Sequence, residues 1–385
     1  MKIARVEAFR LKSTIKKEGW QEDEYVWPSK LPCFLVRVTA DDGTYGVGEI
    51  SSQTWYLGET AEQILSYVRL YDDALTGVDA ESPALAHKAM EATVSGGMPG
   101  SRATRAGIDM AIYDLIGRAR GVPVHVLLGG AYRTRFEMLT NLYHKTPESM
   151  AAAARQAVED GFKGLKIKVG DVLLANGWTR ANFRIELDKL HAALEAVPDG
   201  IYIDADANQG WLSAKWAVDA LREFDRYGNL SIEQPLRYAD LDGAAFVAAN
   251  ARTPVILDES VWSPEAMLQL IRMRACDRIV LKLSRVGGFY PAQQIVAMCE
   301  AAGIGVSVDT NPYTLLGDTA CCHIAAAIAT PYPVDCEGHV SFLSMNDPDP
   351  FSGGVSIENS IATLPDAPGL GIEVDWAAIE RHQAA

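Results

Sequence analysis

The sequence has no C-x-x-C pair, no H-E-x-x-H or H-x-H cluster, and no apolar run that approaches the length of a membrane span. Its cysteines, Cys33, Cys276, Cys299, Cys321, Cys322 and Cys336, fall at spacings that build no disulfide framework, so they read as reduced, mostly buried small side chains. The scattered histidines argue against zinc, and any metal here would be hard and oxygen-ligated. Basic charge is in deficit: 35 Lys and Arg stand against 50 Asp and Glu, for a formal net charge of -15. A protein that tracks phosphates needs clustered Lys and Arg, so a nucleic-acid partner is set aside. The stretch "MKIARVEAFRLKSTIKK" lacks the continuous apolar segment of a secretory signal. A cytoplasmic protein with no membrane partner is expected.

What is present is ample core material. With 385 residues, 48% of them hydrophobic, the chain exceeds the size at which one core stops growing. "KIARVEAFRL" and "CFLVRVTADDGTYGVGEI" read as strands, with "DDG" as a hairpin turn. Helical spacing follows in "TAEQILSYVRLYDDALTG", "SPALAHKAMEATV" and "SRATRAGIDMAIYDLIGRARG", an α+β order. From about Phe136 short apolar runs alternate with alanine-rich helices: "FEMLTNLY", "GLKIKV", "IYIDADAN", "LSIEQPL", "PVILDES", "RIVLKLSRVGG", "GIGVSVDTN" and "YPVDCEG". That alternation predicts an α/β fold with a (β/α)8-type barrel, a modified TIM barrel, behind an N-terminal α+β capping domain. The expected division is 1–130 for the capping domain with its lid loops, 131–355 for the barrel and 356–385 for a C-terminal segment that returns to the cap.

In such a barrel, functional groups sit at the C-terminal ends of strands. Lys166 and Lys168 fall at the second strand end, Asp204, Asp206 and Asn208 at the third, Glu233 at the fourth, Asp258 and Glu259 at the fifth and Lys282 at the sixth. Three acids on adjacent strand ends, with no soft ligand, suit Mg²⁺ or Mn²⁺. The lysines then flank that ion on opposite sides, an arrangement suited to removing a proton next to a carboxylate. Such a proton is weakly acidic, so the developing enediolate needs electrostatic stabilisation and the base must be neutral. The period-two spacing of "KIK" puts Lys166 beside Lys168, where its charge is expected to lower the pKa of Lys168.

These motifs resemble the enolase superfamily, in its mandelate racemase and muconate lactonizing enzyme branch. "GVGEI", "RAGIDMAIYDLIGRARGVPVHVLLGG", "KIKVG", "DADANQGW", "IEQPL", "LDES", "KLSRVGG" and "PGLGIEVD" stand in that family's order over nearly the whole chain. The resemblance implies Asp206, Glu233 and Asp258 as metal ligands, and Lys168 and Lys282 as the acid and base on opposite faces. The chemistry of a Lys base with Mg²⁺ is established for that superfamily. Lysine on strand six is similar to the muconate lactonizing enzyme and dipeptide epimerase subgroup. Asp335 and Glu337 fall where dipeptide epimerases hold a substrate ammonium. Asp204 is expected to orient Lys166, Glu259 to contact a lysine and Asn208 to orient a ligand through its amide. Trp20, Trp55 and Tyr56 in the lid segments, with Tyr143, Asp309 and Asn311 at strand ends, are substrate-binding candidates. The implied reaction is racemisation or epimerisation of an amino-acid derivative that bears a carboxylate. The alternatives are muconate-type cycloisomerisation or acid dehydration and, from another class, a non-catalytic acid-binding barrel or a metal-dependent lyase. A homo-oligomer, dimer or octamer, is the family's implied assembly.

Overall fold

The computed structural model describes residues 1–15, 33–52, 54–95, 100–143, 146–336, 338–345 and 349–383. Three antiparallel strands, β1 (Ile3–Leu11), β2 (Cys33–Ala40) and β3 (Tyr45–Ser51), form the first sheet in the order β1-β2-β3. Asp42 Oδ1 accepts from the Thr44 amide at 2.9 Å and Gly43 takes a φ of 86°, so "DDG" closes the hairpin as expected. Helices α1 (Ala61–Leu75), α2 (Pro83–Met90) and α3 (Arg102–Arg120) follow. Thr60 and Gln63 make a reciprocal capping box at the start of α1, and Gly121 ends α3 at a φ of 67°. In β3, Gly46 and Gly48 lie against the α3 backbone, where a Cβ would collide with the Ala111 and Gly107 carbonyls. These glycines let α3 lie directly on the sheet.

Seven parallel strands follow in spatial order: β4 (Leu139–Leu142), β5 (Gly164–Lys168), β6 (Tyr202–Asp206), β7 (Leu230–Glu233), β8 (Val255–Leu257), β9 (Arg278–Leu281) and β10 (Gly305–Val308). The expected eighth strand, "YPVDCEG", is reduced to a bridge. Val334 pairs with Met138, and the Asp335 amide donates to the Val308 carbonyl at 3.2 Å, so this segment touches both edges of the sheet. Pro331 and Pro333 bring no N–H, which shortens the ladder there. "FEMLTNLY" also divides: Arg135–Glu137 pairs antiparallel with Ile361–Thr363, and the chain enters the barrel only at β4.

Alternation along β5 turns Leu165 and Ile167 away from Lys166 and Lys168, and all four are buried. Each buried aliphatic contributes about 1.5–3 kcal/mol, whereas each buried ammonium costs several unless paired. The polar face of β5 is therefore the exceptional one. At the other end of the chain, helix Trp376–Gln383 lies on β1: Trp376 stacks edge-on against Phe9 and Tyr45 at 5.6 and 5.7 Å, and the Lys12 amide donates to His382 Nδ1. Among the described residues no helix is long and apolar enough to cross a membrane.

Candidate active site

Register brings the polar strand ends level. Lys166 stands opposite Asp204, Lys168 opposite Asp206, and Asp206 opposite Glu233. Lys168 Nζ lies 2.5 Å from Asp206 Oδ2. Lys166 Nζ reaches Glu233 Oε2 at 3.0 Å, Asp309 Oδ2 at 2.8 Å and Asp204 Oδ2 at 3.9 Å, so Asp204 does adjoin Lys166, in company with two closer carboxylates. Lys282 follows β9 directly and contacts Asp258 Oδ2 at 3.0 Å and Asp309 Oδ2 at 3.1 Å. Asp309 thus joins the two lysine arms.

Burial pulls the Lys168 pKa down and Lys166 acts in the same sense, but Asp206 together with Tyr143 and Glu233 outweighs them, so the net shift is upward. The expected downward pull of Lys166 is present but is outweighed. Lys166 and Lys282 are also raised, because the carboxylates around them outweigh burial. Burial and the neighbouring Asp204 push Glu233 well above the usual carboxylate range. Glu259 is raised to about 7 by burial and Asp258. Burial pushes Asp258 up, but Arg285 and Lys282 outweigh it and hold that carboxyl low.

One further role differs from expectation. Among the described residues Glu259 Oε1 accepts from Gln209 Nε2 at 3.2 Å, and no lysine reaches it closely enough for an ion pair. Asn208 reaches Asp206 through its backbone N–H, 2.8 Å from Oδ1, a contact beyond the one expected of its side chain. Asp335 Oδ2 accepts from Asn141 Nδ2 at 2.8 Å, and Asn311 Nδ2 donates to Ser284 Oγ. The ring of Tyr143 lies 5.4 Å from Lys168 Nζ and that of Tyr56 lies 5.7 Å from Lys282 Nζ. Trp20, Glu337 and the side chain of Trp55 lie outside the described residues.

Arg285 is a participant that the sequence reading missed. Its guanidinium meets Asp258 Oδ1, donates to the Tyr56 hydroxyl at 2.6 Å and ties the Val261 and Val280 carbonyls at 2.7 and 2.8 Å. The signal was its place in "KLSRVGG", one helical turn after Lys282. Gln234 and Asn141 were also missed.

Among the described residues no three acid, histidine or cysteine side chains form a ready metal cage, because Asp206, Glu233 and Asp258 each turn onto a cation. The charge balance nevertheless suits a hard cation. Among the described residues six buried carboxylates, Asp204, Asp206, Glu233, Asp258, Glu259 and Asp309, lie with four buried cations, Lys166, Lys168, Lys282 and Arg285, and Glu259 Oε2 has no hydrogen-bond partner there. All donors are oxygen, the ligand type that Mg²⁺ prefers.

Residues 149–378 match the model of the enolase C-terminal domain-like family, and residues 28–129 match that of the mandelate racemase/muconate lactonizing enzyme N-terminal domain. The chain belongs to the mandelate racemase/muconate lactonizing enzyme family of the enolase superfamily. The L-Ala-D/L-Glu epimerase of Clostridium acetobutylicum is 32% identical to it over 342 residues, 88% of this chain and 90% of that protein. The dipeptide epimerase from Enterococcus faecalis V583, solved with Mg and the dipeptide L-Leu-L-Tyr, has a TM-score of 0.82 at 30% identity and covers 97% of this chain and 100% of its own. The N-succinyl Arg/Lys racemase from Bacillus cereus has a TM-score of 0.88 at 26% identity, covering 100% of this chain and 99% of its own. All three relatives are isomerases.

Proposed function

We propose that this member of the mandelate racemase/muconate lactonizing enzyme family is a Mg²⁺-dependent racemase or epimerase that removes the α-proton of an amino-acid derivative bearing a carboxylate and returns one to the opposite face. The observation that carries this reading is the placement of two lysines, Lys168 at the end of β5 and Lys282 after β9, with the acid-bearing strands β6, β7 and β8 between them. Asp206, Glu233 and Asp258 would hold Mg²⁺, with Mn²⁺ as a substitute. The bound ion supplies Lewis-acid stabilisation of the charge that develops on the substrate carboxylate.

The rest falls to this chain's own side chains. Lys168 Nζ takes the α-proton of one enantiomer and Lys282 Nζ delivers a proton from behind; the roles reverse for the other enantiomer. The base must start neutral. With the Asp206 charge engaged elsewhere, burial and Lys166 both favour the neutral amine of Lys168. Lys166 stays charged against Glu233 and Asp309. Tyr143 and Tyr56 wall the two lysine faces, and Asp335, steadied by Asn141, stands ready for a substrate amine. The relatives, an L-Ala-D/L-Glu epimerase, a dipeptide epimerase and an N-succinyl Arg/Lys racemase, support that substrate class. Six free buried cysteines support a cytoplasmic protein, and a homo-oligomer completes the reading.

Proton NMR in D₂O with Mg²⁺ tests it across dipeptides, N-acyl amino acids, cyclic amino acids, betaines and sugar acids. The expected result is loss of an α-proton signal with inversion, abolished in Lys168→Ala and in Lys282→Ala. Turnover of a substrate from this panel without α-proton exchange, or exchange that survives loss of both lysines, would sink the two-base reading.

A further inference from the structure

We infer that Gln234 is a positioning residue that sets the spacing of Asp206, Glu233 and Asp258 and thereby the affinity of the site for a divalent cation; this rests on the reading of those three acids as ligands. Gln234 directly follows Glu233, is 1% exposed and takes a φ of 35°, in the left-handed region that a non-glycine side chain rarely adopts. Such a backbone persists only where surrounding contacts determine it. Here they do so on every side.

The contacts reach the ends of all three acid-bearing strands. On the fifth, the Gln234 amide donates to the Ile256 carbonyl at 2.9 Å, while Gln234 Oε1 accepts from the Asp258 amide at 3.0 Å and the Ser260 amide at 3.2 Å. On the third, its own carbonyl accepts from the Gln209 amide at 2.8 Å, three residues beyond Asp206. Its Nε2 donates to the Leu236 carbonyl at 2.9 Å and to Ser260 Oγ at 3.0 Å, which fixes which way the amide faces. Both ends of the side chain are therefore engaged, and the backbone N–H of Asp258 is held by a group one residue from Glu233. The side chain touches no described carboxylate oxygen, so it acts on the acids through the backbone that carries them.

The consequence is a change in cation affinity rather than in proton transfer. Outer residues that orient metal ligands typically alter affinity by about 10- to 100-fold when removed. Mn²⁺ would be titrated into the full chain without substrate, with free ion read by electron paramagnetic resonance. The wild type is expected to bind one ion per chain and Asp206→Asn to lose that binding. Gln234→Met, similar in shape but without hydrogen bonds, should weaken Mn²⁺ by about 10- to 100-fold with the far-ultraviolet circular dichroism retained. Ser260→Ala, which removes the hydroxyl partner, should weaken it several-fold and decides the matter if Gln234→Met does not fold. Ile295→Val, a buried change in a barrel helix, should lower the Tm and leave the Mn²⁺ affinity as it was. Wild-type affinity in Gln234→Met, in Ser260→Ala where that variant decides, or an equal loss in Ile295→Val, would overturn the role of Gln234 while leaving the metal reading in place. Failure of the wild type itself to bind Mn²⁺ would overturn the metal reading, and this inference with it.

Discussion

Among the described residues two clusters of lysine and carboxylate are buried, and they are built to different ends. Between the two helices that follow β5, Asp171–Asn176 and Arg180–Ala196, Lys189 Nζ meets Asp171 Oδ1 at 2.5 Å and Glu186 Oε2 at 2.8 Å, and Glu186 Oε1 accepts from the Val172 amide at 2.6 Å. None of its buried polar atoms lacks a partner among the described residues. At the barrel mouth, around Lys166, Lys168 and Lys282, carboxylates outnumber cations among the described residues, and an oxygen of Glu259 has no hydrogen-bond partner among them. A buried ion pair is thus a poor marker of a site by itself. Surplus buried charge of one sign is the better one.

The largest expected effect separates chemistry from stability. Lys168→Met or Lys282→Met should lower α-proton exchange by about 10²- to 10⁴-fold, measured by NMR, with little change in urea unfolding when Mg²⁺ is saturating, because the cation would then compensate the carboxylate that each lysine leaves. Lys189→Met should do the reverse, costing about 3 kcal/mol in urea unfolding because it leaves Asp171 buried without its cation and removes a hydrogen bond from Glu186, while Mn²⁺ affinity holds. Loss of Mn²⁺ binding at unchanged stability in that variant would merge the two clusters into one. Next is a pH effect. Burial and Asp171 push Glu186 up to about 8 despite Lys189, so the folded chain keeps a proton there that the unfolded chain releases near its usual range. The stability due to this group is therefore full below about pH 4.5 and falls as pH rises toward 8, and Glu186→Gln should flatten that slope in urea titrations taken across the range. The smallest effect is expected for Tyr56→Phe. It deletes a hydroxyl that joins Arg285 and Asp258, at a cost of about 1 kcal/mol in transition-state stabilisation read from kcat/KM.

The mouth was legible because its chemistry is tied to strand ends at regular spacing. Lys168, Asp206, Glu233, Asp258 and Lys282 each close or follow an apolar run, and parallel register then sets them side by side. Residues that act across elements were not legible. Arg285 reaches Tyr56 over 229 positions and Asp309 reaches Lys166 over 143, and no local pattern encodes such meetings. The partner of Glu259 was misjudged for the same reason, since Gln209 arrives from another loop through a left-handed turn. The eighth strand was over-read because its apolar run outlasts the hydrogen-bonding capacity that its prolines leave.

The helix Trp376–Gln383, seated on Phe9, Tyr45 and Arg37, gives synthesis an order. A ribosome delivers β1 to β3 first, yet the indole that covers their far side emerges only after the whole barrel has left the exit tunnel. The first sheet must wait with an aromatic flank open to solvent, and a nascent chain stalled before Trp376 would offer that flank to a chaperone.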